Sequence, residues 1–488
     1  MFASVGRRLW VGAVLGLLGA LATSPARADF VLYHLPGTSL ALVLRGEASV
    51  NPGRTITCRH PLGNLHFDHT DVQIIQSPSP AEQYQRVKGE KNRVGTVDAM
   101  LELAAWCVDN GELRWAREAL SEGYKLAPED PRIQKMVLLN RYLTSAVPED
   151  PEAESEMREF LKGKEMKVAR SRHFLLMHDT DDRPDPRTRR TPAEQRLELL
   201  EQVYDSFYMN FALRGKYLRI PKEPLRVVLF NDHADYLTFV TRLDPDLKKA
   251  AGFYDPEHNV AIFYRQQTDE GLEGHNQLAD IMRDLQESAK RARSSSSAAL
   301  IRFAKTLELL LRITGENLDI EVVSHEATHQ LAANSGLLPR DKFIARWAHE
   351  GLAAYYESPS EATWAGIGAV NEQRLEYYRA LAPDREHSNL EFIVTDRIFL
   401  QAANNEGTLH AYGQAWALTH FLMDRHFEQL MSFYARMSEE GESEMLVSEW
   451  QERVLEIFRD EFGDLELLED DWRRYMRSLK TDMQVLMQ

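Results

Sequence analysis

The chain has 488 residues, 43% of them hydrophobic and 27% charged, with a formal net charge of −17. That supports two or three cores at roughly 150 residues each, and so acidic a chain repels nucleic acid, with no basic-aromatic stripe to offset the repulsion. The two cysteines, Cys58 and Cys107, stand in no Cys-x-x-Cys or Cys/His pattern, which excludes a cysteine-held zinc and leaves their pairing open.

Residues 1–28 read as a signal peptide. Arg7 and Arg8 precede an apolar run over 9–22, and Ala26-Arg27-Ala28 has the small-x-small form of a cleavage site. The run is too short for a spanning helix, and an uncleaved anchor is the alternative. No later stretch is apolar enough to span. The expectation is an exported chain, periplasmic or extracellular, with no stable membrane span after cleavage.

Residues 29–90 predict a small β-rich unit, with strands at 40–44, 55–58 and 71–75 between the turn signals Asn51-Pro52-Gly53 and Pro61-Leu62-Gly63. His60, His66 and His69 lie here without a recognised ligand spacing and read as surface histidines. Residues 91–160 predict a helical repeat-like unit. Met100, Leu103, Ala104 and Cys107, then Ala116, Leu120, Gly123 and Pro128, resemble one tetratricopeptide repeat. It is either a structural hairpin or a groove for a protein partner. The acidic, proline-containing stretch 148–156 reads as a linker.

From 165 to 265 the pattern is α/β. Strands are expected at 174–177 and 225–230, and a capping box with proline, Thr191-Pro192-Ala193-Glu194, opens a helix that closes near Gly215. A further helix is expected at 236–243, and Gly252-Phe253-Tyr254 pairs as a hairpin with 260–264. Residues 266–316 are polar and helix-prone with a serine-rich break at 294–297, an insertion that is a surface excursion or a lid. Residues 317–488 read as mostly helix, starting with a helix from about 318 to 333 that Asn334-Ser335-Gly336 closes. A second begins near Asp341 or Phe343. The fold class is α+β.

The first of these helices carries His325-Glu326-Ala327-Thr328-His329. Positions i and i+4 share a helix face, so both imidazoles can reach one ion, and Glu326 beside them is placed to take a proton from metal-bound water. A catalytic zinc needs a third protein ligand and an open fourth position. The metzincin extension fails, because Ala332 and Ser335 stand where it requires glycine and histidine.

The chain instead resembles the gluzincin branch of zinc metallopeptidases, above all the aminopeptidase-N-like group. It carries His325–Gln330, a short spacer, then Trp347-Ala348-His349-Glu350-Gly351-Leu352-Ala353-Ala354-Tyr355-Tyr356-Glu357. The resemblance implies a zincin-type domain in which His325, His329 and Glu350 hold Zn2+. Glu357 is expected as an outer partner and stands as the rival third ligand. Tyr412, in Tyr412-Gly413-Gln414-Ala415-Trp416-Ala417-Leu418, matches the family tyrosine at a helix start that donates to the oxyanion. An interface tyrosine is the other reading. His349 and His420 are extra polar candidates near the site. The Gly-x-Met-Glu-Asn segment that holds a free amine in aminopeptidases is absent, so that specificity is not implied.

The chain also resembles an uncharacterised family of exported bacterial proteins sharing the Gly-Phe-Tyr hairpin, HExxH and Trp-x-x-Glu-Gly-Leu-Ala pattern, over about 168–430. The implied function is zinc-dependent hydrolysis of peptide bonds in a peptide or protein substrate, through water activated by Glu326. The alternative is an exported non-catalytic binding or scaffold protein with a structural or vestigial zinc site.

Overall fold

The computed structural model describes residues 29–481 and 484, apart from 35–40, 53, 187, 269–272, 293–294, 358, 361–362, 365, 403–404 and 442–444. The signal-like segment 1–28 lies outside the described residues. The fold is mixed α+β.

The N-terminal unit is an antiparallel sheet of β1 (Asp29–His34), β2 (Ala41–Asn51), β3 (Thr55–His60), β4 (Gly63–Asp68) and β5 (Val72–Ile75), ordered β4-β3-β2-β1-β5. Helices α1 (Pro80–Val94), α2 (Val97–Asp109), α3 (Leu113–Leu126), α4 (Pro131–Thr144) and α5 (Pro151–Phe160) follow. The stretch expected as a linker is therefore largely helix. Asp150 accepts from the Glu152 and Ala153 N–H groups and Pro151 sits at the first helical position, so the acidic and proline residues start a helix rather than break one. His60 is a second correction. It is buried, and its Nδ1 accepts from the Leu62 N–H at 3.0 Å, whereas His66 and His69 are exposed.

The second sheet comprises β6 (Lys167–Arg170), β7 (Phe174–His178), β8 (Leu225–Phe230), β9 (Phe253–Asp255) and β10 (Val260–Tyr264) in the order β6-β7-β8-β10-β9. β7, β8 and β10 run parallel, and β9 is an antiparallel edge. Successive residues of these apolar runs go to opposite faces. Phe174, Leu176, Val227, Leu229, Ala261 and Phe263 join the main core with helix α6 (Pro192–Leu213), whereas Leu175, Met177, Val228, Phe230 and Ile262 pack on α5 and helix α7 (His233–Leu243). Both faces are covered, so the strands carry unbroken apolar sequence instead of alternation.

Helices α8 (Glu273–Ala292) and α9 (Ser295–Ser335) form a hairpin. α9 has 41 residues and begins over twenty residues before the expected start. Propensity explains the extension: the polar insertion is rich in Ala, Leu, Glu, Lys and Arg, all strong helix formers. Its first half is neither lid nor solvated excursion, because Leu309 and Ile313 complete the core of the N-terminal sheet with Val31, Tyr33, Cys58 and Phe67. The rest of the chain is α10 (Arg346–Tyr355), the short pair β11 (Pro359–Ser360) and β12 (Thr363–Trp364), then α11 (Glu372–Leu381), α12 (Leu390–Val394), α13 (Arg397–Leu400), α14 (Asn405–Arg425), α15 (Phe427–Glu440), α16 (Val447–Phe462) and α17 (Leu465–Ser478).

Helices α2, α3 and α4 pack on α6, and their buried residues belong to the same core as Trp347 and Trp416. No disulfide joins Cys58 to Cys107, which lie in separate cores. Asp109 closes the junction. Its Oδ1 accepts from Asn210 Nδ2 at 3.1 Å and its backbone carbonyl from the Ile367 N–H at 3.2 Å. Burial pushes the Asp109 carboxyl up to about 6, against the opposing pull of Arg214 and Asn210. A carboxyl raised above its unfolded value of about 3.9 favours folding in its neutral form, so this contribution is full below about pH 4 and lost as pH rises through the folded value. Asp109→Asn keeps the acceptor without the charge. It is expected to raise stability at pH 8 by roughly 1–3 kcal/mol and to leave it nearly unchanged near pH 4. Urea midpoints of both proteins across that range check this; parallel curves would refute it.

Candidate metal centre

The second half of α9 lies with Val323, Ala327 and Leu331 in the core. Gln330 fixes its rotation by donating from Nε2 to the carbonyls of Arg226 (2.9 Å) and Asn259 (3.2 Å). The opposite face presents His325, Glu326 and His329 to a cleft of about 860 Å³. Across it stands α10. Its N-terminus lacks a cap of its own; Asp396, in a left-handed conformation before α13, accepts from the Arg346 N–H at 2.6 Å and the Trp347 N–H at 2.8 Å. That distant cap holds Glu350 at its height along the cleft.

Three ligand atoms converge. His325 Nε2 is 3.1 Å from His329 Nε2 and 3.2 Å from Glu350 Oε2, and His329 Nε2 is 3.5 Å from the same oxygen. His325, His329 and Glu350 are thus a group that can hold a metal ion. Nδ1 of His325 donates to Glu357 Oε1 at 2.8 Å, so its neutral tautomer aims an Nε2 lone pair at the other two acceptors. Such a set needs a cation or a proton. The protonation balance says the same: burial disfavours an imidazolium, yet hydrogen bonds to Glu350 and Glu357 outweigh it and hold His325 up at about 10. Glu350, although largely desolvated, is held well below the usual carboxylate range by His325 and His329.

Glu357, the rival ligand, lies behind His325 and not among the converging atoms. Arg374 grips it through Nε (2.9 Å) and Nη2 (2.8 Å), and Asn371 donates at 3.1 Å. Glu326 Oε2 accepts from the Tyr254 N–H of β9 at 2.8 Å, and burial pushes its carboxyl up. β9 can come this close because residue 252 is glycine: a Cβ there would stand 2.6 Å from Val322 Cγ1 and 3.2 Å from Glu326 Cγ. Gly351 does the same for α10 against α14, where a Cβ would lie 2.2 Å from Thr419 Oγ1 and 2.6 Å from the Ala415 carbonyl.

Tyr412 lines the cleft, with its ring 6.1 Å from that of His325 and the Arg374 guanidinium 5.2 Å above it. It is not at a helix start: α14 begins at Asn405, seven residues earlier. Burial, then Glu350, raise its hydroxyl pKa, so it is a donor. His349 also lines the cleft, its ring 6.0 Å from His329, and burial pushes it down to about 4. His420 does not reach the cleft. It bonds the Gly368 carbonyl at 3.1 Å and the Tyr475 hydroxyl at 2.8 Å, because its helix position faces α17 and the 366–368 turn. Sequence spacing carried no sign of Arg374 and its helix cap Asn371, of Asp396 or of the Tyr254 N–H, which act from three different parts of the chain.

Residues 319–442 match the family model described as "Protein of unknown function (DUF1570)". The matched segment runs from the second half of α9 to just beyond α15 and contains the whole converging group. Searches of the curated proteins and of the solved structures gave no match. No described helix is long and apolar enough to cross a membrane.

Proposed function

We propose that the chain is a zinc-dependent metallopeptidase. One observation carries the reading: the three ligand edges of 3.1, 3.2 and 3.5 Å. Ligands placed tetrahedrally at ordinary Zn–N and Zn–O distances sit about 3.3 Å apart. Two imidazoles and one carboxylate are also a donor set that suits zinc, with a fourth position left for water or substrate. The Arg374–Glu357–His325 chain orients the first imidazole, as outer partners of zinc histidines do.

A zinc ion held by His325, His329 and Glu350 would supply Lewis acidity toward the attacking water and the scissile carbonyl. The protein's own groups do the rest. Glu326, held by the Tyr254 N–H, takes the proton of the attacking water at its carboxylate and delivers it to the leaving amine nitrogen. A carboxyl raised by burial is suited to both duties. Tyr412 donates its phenolic O–H to the oxygen that becomes negative as the carbonyl is attacked. The β9 edge offers backbone groups to an extended peptide beside Glu326. On the signal-like segment 1–28, the reaction takes place after export.

Digestion of a broad peptide library by zinc-loaded full-length protein, beside Glu326→Gln, tests this. Cleavage by the wild type is expected, with a fall of about 10²–10⁴-fold in the variant at unchanged zinc content. Zinc-loaded wild type that cleaves nothing, or a variant as active as the wild type, overturns the reading. The first result points instead to a scaffold with a structural zinc.

A further inference from the structure

The charge of the cleft mouth opposes the charge of the molecule. The chain carries −17 overall, yet the charged residues exposed in the cleft lining are Lys249, Arg340 and Arg346, joined by partly buried Lys342. The lining carboxylates lie inside and are engaged. Glu350 belongs to the metal group, Glu326 accepts from Tyr254, Glu357 is gripped by Arg374, and Glu321 is within Coulomb range of Arg374. Exposed Glu257 and Asp341 are sequence neighbours of this rim but do not line the cleft.

The cations are also distributed along the substrate edge. Lys249 closes the short helical turn just before β9. At the other end of β9, Arg340 Nη1 donates to the carbonyls of Pro256 (2.9 Å) and Glu257 (3.1 Å), which anchors its guanidinium over the turn. Arg346 lies beside the converging group, its Nε 3.5 Å from Glu350 Oε1. An exposed rim of one sign of charge concentrates ligands of the other sign at the cleft mouth.

We propose that the cleft selects acidic peptides, with Asp or Glu side chains on the residues flanking the scissile bond; this rests on the peptidase reading. The rim cations pair with those carboxylates along β9. Lysine at the same positions is rejected by like charge.

Two measurements on full-length, zinc-loaded protein test it. The first is fluorescence anisotropy with Glu326→Gln, using labelled peptides that differ only in Glu, Gln or Lys flanking one bond. The Glu peptide is expected to bind roughly tenfold more tightly than the Gln peptide, with the gap closing as salt is raised. The second is wild-type kcat/KM on the same peptides, beside Lys249→Glu/Arg340→Glu. The double variant should lose or invert the preference, read as the ratio of Glu-peptide to Gln-peptide kcat/KM within the same protein, so that a change common to both peptides cancels. Equal binding of the Glu and Gln peptides, no binding of either, or a preference that survives the double variant overturns the proposal. If Glu peptides bind preferentially and no peptide is cleaved, charge selection stands and the peptidase reading falls.

Discussion

Zinc binding is expected to collapse in His329→Ala. The residue is one of three converging ligand candidates among the described residues, with edges of 3.1 and 3.5 Å to the others. Its side chain is only 15% exposed but lines the open cleft, so truncation leaves room for water rather than a sealed void. The fold should persist. The loss should exceed the about 10–100-fold that removal of an outer partner costs, whereas Glu357→Gln should fall within that range. Competition against a chelator measures both affinities. Thermal melts supply a second readout, because zinc raises the midpoint only of a chain that binds it in the folded state. His329→Ala that retains tight stoichiometric zinc would show that the ligand set is wrong.

Arg374→Ala is expected to be strongly destabilising. Glu357 is 3% exposed, and Arg374 is its bidentate partner. Removing Arg374 leaves buried Glu357 charged with only His325 and Asn371 to compensate it, at a cost of up to about 3–5 kcal/mol. Replacing both with methionine should recover much of that, since packing replaces two desolvated charges. Urea unfolding with chelator present separates this effect from metal linkage. The pH dependence has a definite sign. Burial alone would push Glu357 up, but Arg374 and His325 hold it down at about 2. Against an unfolded value of about 4.3, its contribution is full above that pH and lost as pH falls toward the folded value. Arg374→Ala should flatten this acid limb. A variant within about 1 kcal/mol of wild type would refute the buried-pair account.

Much of the local structure was legible because it depends on near neighbours. The Thr191–Glu194 capping box forms as its residues dictate, Gly336 takes the left-handed conformation expected past a helix end, and the apolar runs at 174–177 and 225–230 are strands. Errors arose where a residue type has two uses. Asp150 and Pro151 suit a linker and equally a helix start, and the polar 266–316 stretch suits solvent as well as a helical hairpin with one apolar stripe.

The i, i+4 histidines needed no tertiary information to be placed on one face, since helix geometry alone aligns them. Glu350 was legible only through its Trp347–Glu357 frame. That its carboxylate meets both imidazoles depends on α10 crossing at Gly351 and on a cap reaching back from Asp396. The Arg374–Glu357–His325 chain, the Tyr254 N–H on Glu326 and the basic rim lie further out of reach. The first two join residues 17 to 72 positions apart, and no periodicity links such positions. Short-range geometry set the two histidines on one helix face; long-range packing brought Glu350 to them and decided what orients the group and what charge surrounds it.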